Sequence, residues 1–356
     1  MSALLSVRDV SRNFVIRRDL LGRPRDLVHA VDDVSFDVDS GQTLGIVGES
    51  GSGKSTLGRL AMRLIEADDG RITFAGQDLR TLSPRRLREL RPAMTMIFQD
   101  PYSALDPRWT VGRLVAEPLR VAGSTTAVEQ RAAVAEMLGL VGLDTDAVDR
   151  RPSAFSGGQR QRIVIARALI TRPRLVFCDE PVSALDVSTR ALVLGLLRDL
   201  QRDLGLAYLF VSHDLGVVEA MSDRIAVMHL GSIVEIGPAE AVARHYRHPY
   251  TASLVSASPA PDPVAQRARR RVVLAGDPPS PVDPPPGCAF HPRCPLAHPI
   301  CGKRKPPLRA GSDGHAVACH VTNGDPLLTG AALLSRMTGA ADALVRTPNT
   351  AKGTAS

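Results

Sequence analysis

The sequence predicts an α/β protein in which helices cover both faces of a mainly parallel sheet. Short apolar runs typical of buried strands alternate with segments of helical periodicity between residues 43 and 236, which is the pattern of parallel sheets. Two strand ends carry polar motifs: a glycine-rich loop at residues 48–56 follows one strand, and Asp179-Glu180 follows another. Residues 100–155 read as helical and interrupt the alternation, so we expect them to form a separate lobe.

The period of the apolar residues predicts the individual elements. We expect strands at residues 4–10, 31–38, 43–47, 71–74, 94–98, 175–178 and 207–211, and a hairpin formed by 225–229 and 233–236. We expect helices at residues 57–65, 127–140, 157–170, 189–204, from 215 onward, and at 331–343. Between the first two strands, residues 17–28 are basic and are predicted to form a looped insertion.

Length, composition and charge narrow the class of protein. With 356 residues, 44% of them apolar, the chain can bury the cores of two or three domains. No apolar run reaches the roughly 18 residues that a membrane span needs, and the N-terminus has no signal-peptide pattern. We therefore expect a cytoplasmic protein whose membrane contacts go through partners. The net charge of +7 comes from scattered arginines without interleaved aromatics, so no nucleic-acid partner is expected.

Residues 48–56 match the phosphate-binding pattern G-x-x-x-x-G-K-S/T in full. Glycines let the backbone curl so that successive N–H groups point at a phosphate chain, and the following helix adds its positive N-terminal end. Lys54 can reach the outer phosphates, and the Ser55 hydroxyl can bind Mg²⁺. The complete spacing and the preceding strand argue against a mere Gly/Ser-rich turn. The predicted nucleotide-binding residues are Gly48, Glu49, Ser50, Gly51, Ser52, Gly53, Lys54, Ser55 and Thr56.

A metal ligand and a base follow the apolar strand at residues 175–178. Asp179, at the carboxyl end of that strand, can reach the Mg²⁺ shell. Glu180 is next in the chain and can accept a proton from an attacking water. An acidic turn after a strand would explain these residues alone, but not in the presence of a phosphate loop.

A second glycine motif, Ser156-Gly157-Gly158-Gln159, opens a predicted helix. Free N–H groups at such a helix start bind anions, and Ser156 can cap the helix. A second anion-binding helix start in one chain makes sense if it serves a site in another copy.

With this motif, the chain closely resembles the ATP-binding cassette (ABC) subunits of transporters. The same family has a glutamine loop, here Gln99, a Ser-Ala-Leu-Asp motif ending at Asp186, and a switch histidine, here His213. Phe155 stands where the family has leucine, and it keeps the position apolar. The resemblance covers residues 1 to about 320.

Local strings look more specifically like the oligopeptide/dipeptide importer subfamily. They lie at residues 99–108 and 248–251 and in the proline-rich segment that ends at residues 287–295. The insertion at residues 17–28 and the string at residues 233–238 resemble the F-type member of the two paired ATPases.

The resemblance implies a P-loop NTPase fold of the ABC cassette type. This fold has a RecA-like parallel sheet core, an antiparallel β subdomain and an inserted α-helical lobe, and the subfamily adds a small Cys/Pro-rich C-terminal domain. We accordingly expect the following division: an ABC ATPase domain at residues 1–240 with its helical lobe at about 100–158, a C-terminal region with four cysteines at 241–322, and a partly disordered tail at 323–356.

The resemblance also implies how the motif residues act. Lys54 holds phosphates, and Ser55, Asp179 and Gln99 serve Mg²⁺. Glu180 polarises the attacking water and His213 contacts the γ-phosphate, while Gln99 also couples the site to the membrane subunits. Two cassettes close head to tail around two ATP molecules, and the residues that face the partner's ATP are Ser156, Gly157, Gly158, Gln159 and Asp186. Phe14 is the candidate to stack on adenine, the alternative being a core residue of the first strand.

The function so implied is an ATP-hydrolysing subunit that powers the import of oligopeptides or dipeptides from the cytoplasmic face of the membrane. Its expected partners are a paralogous or identical ATPase subunit, two transmembrane permease subunits and an extracytoplasmic substrate-binding protein. F-type features favour the paralogue. Two alternatives remain open: an importer of nickel or another small solute, and a soluble cassette ATPase acting on nucleic acid or the ribosome, against which the single cassette and the importer-type tail argue.

Four cysteines stand in the proline-rich region, at positions 288, 294, 301 and 319. In a cytoplasmic chain such a group more often holds a metal than disulfides. The spacing lacks the paired C-x-x-C knuckles of structural zinc, and the subfamily resemblance implies a 4Fe-4S cluster held by Cys288, Cys294, Cys301 and Cys319. Zinc and the absence of any metal remain alternatives, and His291, His315 and His320 are nearby candidate ligands.

Overall fold

The computed structural model describes residues 3–18, 24–123, 126–258, 272, 274, 276–277, 279–325 and 327–346. Residues 347–356 of the predicted tail at 323–356, and most of the proline-rich connector before residue 279, lie outside this part of the chain. Within these residues the chain forms two sheets and eleven α-helices. None of the described helices combines the length and the apolar character needed to cross a bilayer.

The smaller sheet is antiparallel. Its strands are β1 (Leu5–Arg18), β2 (Pro24–Val38), β4 (Asp69–Phe74) and β5 (Gln77–Asp78), in the spatial order β2-β1-β4-β5. Strands β1 and β2 pair along nearly their whole length, and Arg17 lies opposite Asp26. The predicted loop at residues 17–28 is therefore wrong for residues 17–18 and 24–28, while residues 19–23 lie outside the described residues. A solvent-exposed two-stranded ribbon pairs through its backbone and needs no apolar alternation, which is why the sequence pattern did not reveal it.

The larger sheet has eight strands and is mixed. The strands are β3 (Thr43–Val47), β6 (Met94–Ile97), β7 (Leu175–Asp179), β8 (Ala207–Ser212), β9 (Arg224–His229), β10 (Ser232–Pro238), β11 (Arg309–Ala310) and β12 (Ala316–Val317). Their order is β11-β12-β10-β9-β3-β8-β7-β6. The five strands from β9 to β6 are parallel, and β10, β11 and β12 pair antiparallel at the other end. The predicted parallel core and the hairpin are confirmed.

Helices cover both faces of this sheet and form the predicted lobe. They are α1 (Lys54–Ala61), α2 (Pro84–Leu90), α3 (Pro101–Ala104), α4 (Val111–Ala122), α5 (Ala127–Leu140), α6 (Gly157–Leu169), α7 (Val187–Leu204), α8 (Leu215–Met221), α9 (Ala239–Arg244), α10 (Pro249–Ala257) and α11 (Gly330–Arg346). The helix predicted at 57–65 ends early, at Ala61, because Arg63 has a φ of 48° that no α-helix accommodates. The lobe consists of α3, α4 and α5 packed on α6, and their apolar residues join one buried core with the sheet.

The C-terminal region packs directly on the sheet and on α10. Strand β12 pairs with β10, with Val317 opposite Glu235, so the region supplies the two outermost strands at this end of the sheet. Helix α11 confirms the helix predicted at 331–343 and begins one residue earlier. It closes a small core in which Leu333 and Met337 contact residues of the α10 neighbourhood such as Tyr246.

Candidate functional site

The carboxyl ends of three central strands meet at one edge of the larger sheet. Strand β3 ends at Val47, which lies opposite Ser212, the last residue of β8. Asp179, the last residue of β7, lies opposite Val211. Open α/β sheets bind ligands at this edge. The fold thus groups the phosphate loop, the acidic pair and the region of His213, which are far apart in the sequence.

Two of the three glycines in the phosphate loop, Gly48 and Gly53, have no room for a side chain. Gly53 has a φ of 101°, and a Cβ there would lie 2.1 Å from a backbone carbonyl oxygen of β2. A Cβ on Gly48 would lie 2.1 Å from a carbonyl oxygen of β9. The N–H of Gly231, in the turn after β9, donates to the carbonyl oxygen of Ser52 at 3.0 Å. The loop is therefore held from two sides, and only its tip at residues 50–51 is exposed.

Lys54 lies inside the loop with its ammonium group directed at main-chain oxygens. Its Nζ donates to the carbonyl oxygens of Gly48 and Glu49, each at 2.8 Å, and the side chain is buried. Burial lowers the pKa of Lys54, while the carboxylates of Glu180, Asp179 and Glu49 oppose that shift. Nζ also donates to the Ser52 hydroxyl at 3.4 Å. An ammonium bonded to these neutral oxygens can exchange them for phosphate oxygens, which form stronger, charge-assisted hydrogen bonds.

Ser55 and Asp179 form the predicted metal-binding pair. Ser55 Oγ donates to Asp179 Oδ1 at 2.6 Å, although the two residues are 124 positions apart. Burial is the main cause that raises the pKa of Asp179, and the Ser55 hydroxyl and the Arg59 guanidinium oppose it. Thr56 follows on the first turn of α1 and is half-buried. A hydroxyl and a carboxylate that face each other are the oxygen ligands that Mg²⁺ prefers.

The Glu180 carboxylate contacts two of the predicted site residues. Its Oε2 accepts from Gln99 Nε2 at 3.3 Å and lies 3.2 Å from His213 Nδ1. Glu180 itself has a φ of 49°, and its N–H donates to the carbonyl oxygen of Val211. A non-glycine residue in the left-handed region costs about 1–3 kcal/mol and persists where the surroundings enforce it. The strained backbone turns the side chain out of the strand direction and towards Gln99 and His213.

The signature motif lies in the helical lobe. Ser156 caps α6: its Oγ accepts from the N–H of Gln159. Gln159 Oε1 in turn accepts from the N–H of Ser156. Gly158 packs so closely on Thr189 that a Cβ would lie 2.4 Å from its methyl group. Thr189 belongs to α7. Asp186 caps this helix, and its Oδ1 accepts from the N–H of Thr189 at 3.0 Å. Among the described residues no hydrogen bond or ion pair joins these motifs to the phosphate loop.

Phe14 lies on β1 with 36% of its surface exposed. The guanidinium of Arg12 lies 4.9 Å from the centre of its ring. It is therefore not a core residue of the first strand in this structure, and its ring is accessible.

The four C-terminal cysteines line one small cavity with His291 and His320. None of them is in a disulfide bond. Burial raises the pKa of Cys288 to about 11 and that of Cys294 to about 12. Each of these two sulfurs also accepts from at least one backbone N–H group, which opposes the rise in pKa. Burial likewise raises the pKa of Cys319, and backbone N–H groups oppose that rise.

The cysteine cavity does not have the geometry of a single-ion site. Within the described residues, no three His, Cys, Asp or Glu side chains are arranged to hold a metal ion. Structural zinc would need its thiolates to converge at about 2.3 Å from one point. His315, one of the candidate ligands, is instead fully buried against Glu235, with its Nε2 2.7 Å from Oε1.

Contacts of Arg59 and Tyr250 are among those near the phosphate loop that were not predicted from the sequence. Arg59 Nη2 lies 3.8 Å from Asp179 Oδ2; its position four residues after Ser55 on α1 was an available signal, because residues i and i+4 share a helix face. The hydroxyl of Tyr250 accepts the N–H of Glu49 at 2.8 Å. These two residues are 201 positions apart, and no local pattern in the sequence connects them.

Comparisons with known families match this architecture. The sequence model of the ABC transporter family matches residues 31–183. The model of the oligopeptide/dipeptide transporter C-terminal region matches residues 234–301. The second match spans β10, α10 and three of the four cysteines.

Curated relatives and solved structures are similar over most of the chain. A probable peptide ABC transporter ATP-binding protein of Sinorhizobium fredii is 49% identical over 319 residues, which cover 90% of each chain. The oligopeptide transport ATP-binding protein AppF of Bacillus subtilis is 47% identical, over 89% of this chain and 97% of its own. An ATP-binding cassette solved as a post-hydrolysis dimer with ADP and phosphate has a TM-score of 0.58 at 26% identity, over 66% of this chain and 98% of its own. A subunit of a Clostridium perfringens ABC transporter complex gives 0.60 at 26% identity, over 68% and 91%.

Proposed function

The chain belongs to the family of ABC transporter ATP-binding proteins, and from this premise we propose that it hydrolyses ATP to power the import of oligopeptides or dipeptides. The observation that carries the proposal is the grouping of Lys54, the Ser55–Asp179 pair and Glu180 at one edge of the sheet. Relatives at 46–49% identity are described as peptide or oligopeptide transport proteins. Those descriptions favour peptides over nickel as the transported solute.

The loop residues bind the phosphate chain in this proposal. Backbone N–H groups of residues 50, 51, 53 and 54 would surround the phosphates, and the Lys54 ammonium would exchange its present oxygen partners for the outer phosphates. Ser55 and Asp179 would hold Mg²⁺, and Gln99 is the third residue assigned to it; the ion would supply positive charge to offset the charge that develops on the phosphates. The short Ser55–Asp179 bond supports this assignment, since both oxygens already face one point.

Glu180 acts as the base. It takes a proton from the attacking water while the water oxygen bonds to the γ-phosphorus and ADP leaves. His213 and Gln99, both bonded to Glu180 Oε2, fix the carboxylate in that direction. His213 also contacts the γ-phosphate in this scheme.

The signature residues complete the site of a second cassette. Ser156 and Gln159 are exposed at the start of α6, and no hydrogen bond or ion pair of the described residues joins them to the phosphate loop of their own chain. A head-to-tail dimer with a paralogous or identical subunit would bring them, Gly157, Gly158 and Asp186 to the partner's ATP. The dimer would act at the cytoplasmic face of the membrane with two permease subunits and a substrate-binding protein. We further propose the domain division given above, with the small Cys/Pro-rich domain at residues 241–322.

The cysteine cavity would hold a 4Fe-4S cluster. The donor set fits: four thiols share one cavity, and N–H groups point at their sulfurs. Cluster ligands bind separate irons and lie farther apart than the ligands of one zinc ion. Cys288, Cys294, Cys301 and Cys319 would be the ligands, and the cluster would act as a structural staple. Anaerobic purification followed by iron and sulfide assays tests this: about four irons per chain is expected, and stoichiometric zinc or no metal contradicts it.

Mg²⁺-dependent phosphate release by the purified chain tests the ATPase proposal. Lys54→Ala should abolish release, because the loop loses its only buried ammonium. Lys303→Ala is the matched control, since Lys303 is exposed in the C-terminal region, and it should retain the wild-type rate. Equal rates in the two variants would contradict the proposal.

A further inference from the structure

An ion pair connects the cysteine segment, residues 287–301, to the phosphate loop. Arg293 Nη1 lies 3.4 Å from both carboxylate oxygens of Glu49, the second residue of that loop. We infer that Arg293 is a positioning residue for ATP binding: it neutralises the Glu49 carboxylate and so makes nucleotide affinity depend on the cysteine segment. The inference rests on the proposed ATPase function and adds to it a residue 244 positions away from the loop.

The main chain and the side chain of Glu49 have separate roles. Its N–H donates to the Tyr250 hydroxyl, and its carbonyl oxygen accepts from Lys54 Nζ at 2.8 Å. The main chain is thus part of the loop's frame. The carboxylate has no such role, yet it is close enough to be one of the charges acting on Lys54. A charge that acts on Lys54 also acts on phosphates bound by Lys54, and there it is repulsive.

Arg293 is held firmly enough to act on that charge. It ends a short turn, His291–Arg293, that lies between Cys288 and Cys294. Its N–H donates to Phe290, and the N–H of Cys294 donates to His291. Its side chain is only 12% exposed. The guanidinium therefore cannot follow Glu49 freely, and the position of the turn decides whether the carboxylate is paired.

Aromatic packing joins the turn to the loop as one unit. Phe290 is 1% exposed, and its ring centre lies 5.5 Å from that of Tyr250 and 5.6 Å from that of His229. Tyr250 is the residue that binds the Glu49 N–H. A rearrangement around Cys288 or Cys294 would therefore move two of the partners of Glu49, Arg293 and Tyr250. By linkage, ATP binding must stabilise the cysteine segment as much as that segment favours ATP.

The test is calorimetric titration of the full chain with MgATP. Arg293→Gln should raise the Kd about fivefold, the equivalent of about 1 kcal/mol expected for a partly exposed pair. The KM for ATP should rise in parallel, whereas kcat at saturating ATP should stay within about twofold. Arg309→Gln, an exposed arginine on β11, is the matched control and should bind as the wild type does.

A double-mutant cycle separates the charge effect from a packing effect. In the Glu49→Gln background, Arg293→Gln should no longer change the Kd, because no carboxylate remains to be neutralised. If Arg293→Gln fails to fold, Arg293→Lys replaces it, with an increase of about twofold that Glu49→Gln again removes. A wild-type Kd in the single variant, or an undiminished loss in the double variant, overturns the inference. Failure of the wild-type chain itself to bind MgATP would instead overturn the proposed function.

Discussion

Replacing Glu180 with glutamine should stop hydrolysis without weakening ATP binding. Glutamine keeps the size of the side chain and one oxygen to accept from Gln99 and to face His213, which contact Glu180 Oε2 at 3.3 and 3.2 Å. It removes the basic group that would take the proton. General-base catalysis contributes about 10²–10⁴-fold, so the barrier should rise by about 3–5 kcal/mol. Loss of a carboxylate near Lys54 also removes charge that would repel the phosphates.

The assay pairs phosphate release with MgATP titration on the same preparation. Glu180→Gln should release phosphate at least about 100-fold more slowly, with a Kd for MgATP equal to or below that of the wild type. Glu240→Gln is the matched control, because Glu240 is exposed on α9, and it should change neither quantity. Normal turnover by Glu180→Gln would refute the assignment of the base. A parallel loss of binding would show that Glu180 shapes the loop instead.

Three further changes test other parts of the account. Gly53→Ala should abolish MgATP binding and lower the free energy of unfolding by about 3 kcal/mol, since its Cβ would lie 2.1 Å from a backbone oxygen. Gly76→Ala, with a similar positive φ but open space around it, should lower the free energy of unfolding by only about 1 kcal/mol. Urea unfolding measures both values, and an equal loss of stability in the two variants would contradict this reasoning. Phe14→Ala should raise the KM for ATP about tenfold through lost stacking, whereas Ile16→Ala on the same strand should not; identical KM values would refute the adenine role. Burial lowers the pKa of His229 to about 4 and that of His248 to about 3, so the unfolded chain binds more protons below about pH 6.5. The contribution of His229 to the free energy of unfolding should fall by about 3 kcal/mol between pH 6.5 and 4, so urea unfolding of His229→Asn should show a correspondingly smaller loss than the wild type. A loss of unchanged size in that variant would contradict this source.

Local signals carried most of the fold prediction. The strand at Thr43–Val47 and the helix at Ala127–Leu140 have the predicted bounds, because buried parallel strands are continuous apolar runs and helix ends carry caps such as Thr126. The inner parts of β1 and β2 were predicted, whereas the outer half of their ribbon was missed because it buries no face. The pairing of β12 with β10 was missed because strands of two residues have no period to detect.

The candidate site divides in the same way. Site residues such as Lys54, Ser55 and Asp179 were predicted because motif spacing fixes which atoms can reach a phosphate chain. The contacts of Gln99 and His213 with Glu180 follow from the registers of β6 with β7 and of β7 with β8, which the sequence implies only once the strand order is known. The contact of Arg293 with Glu49 depends on how the C-terminal region docks against the loop. No periodicity specifies that docking, so it had to come from the structure.

The central claim is that this chain converts ATP hydrolysis into peptide import. The most direct measurement is uptake of a radiolabelled oligopeptide into proteoliposomes that contain the complete transporter, its substrate-binding protein and MgATP on the side of the cassettes. The account predicts uptake that requires ATP and is lost when the chain carries Glu180→Gln, with the complex still assembled. Peptide uptake at the wild-type rate with Glu180→Gln, or ATP hydrolysis without any peptide uptake, would contradict it.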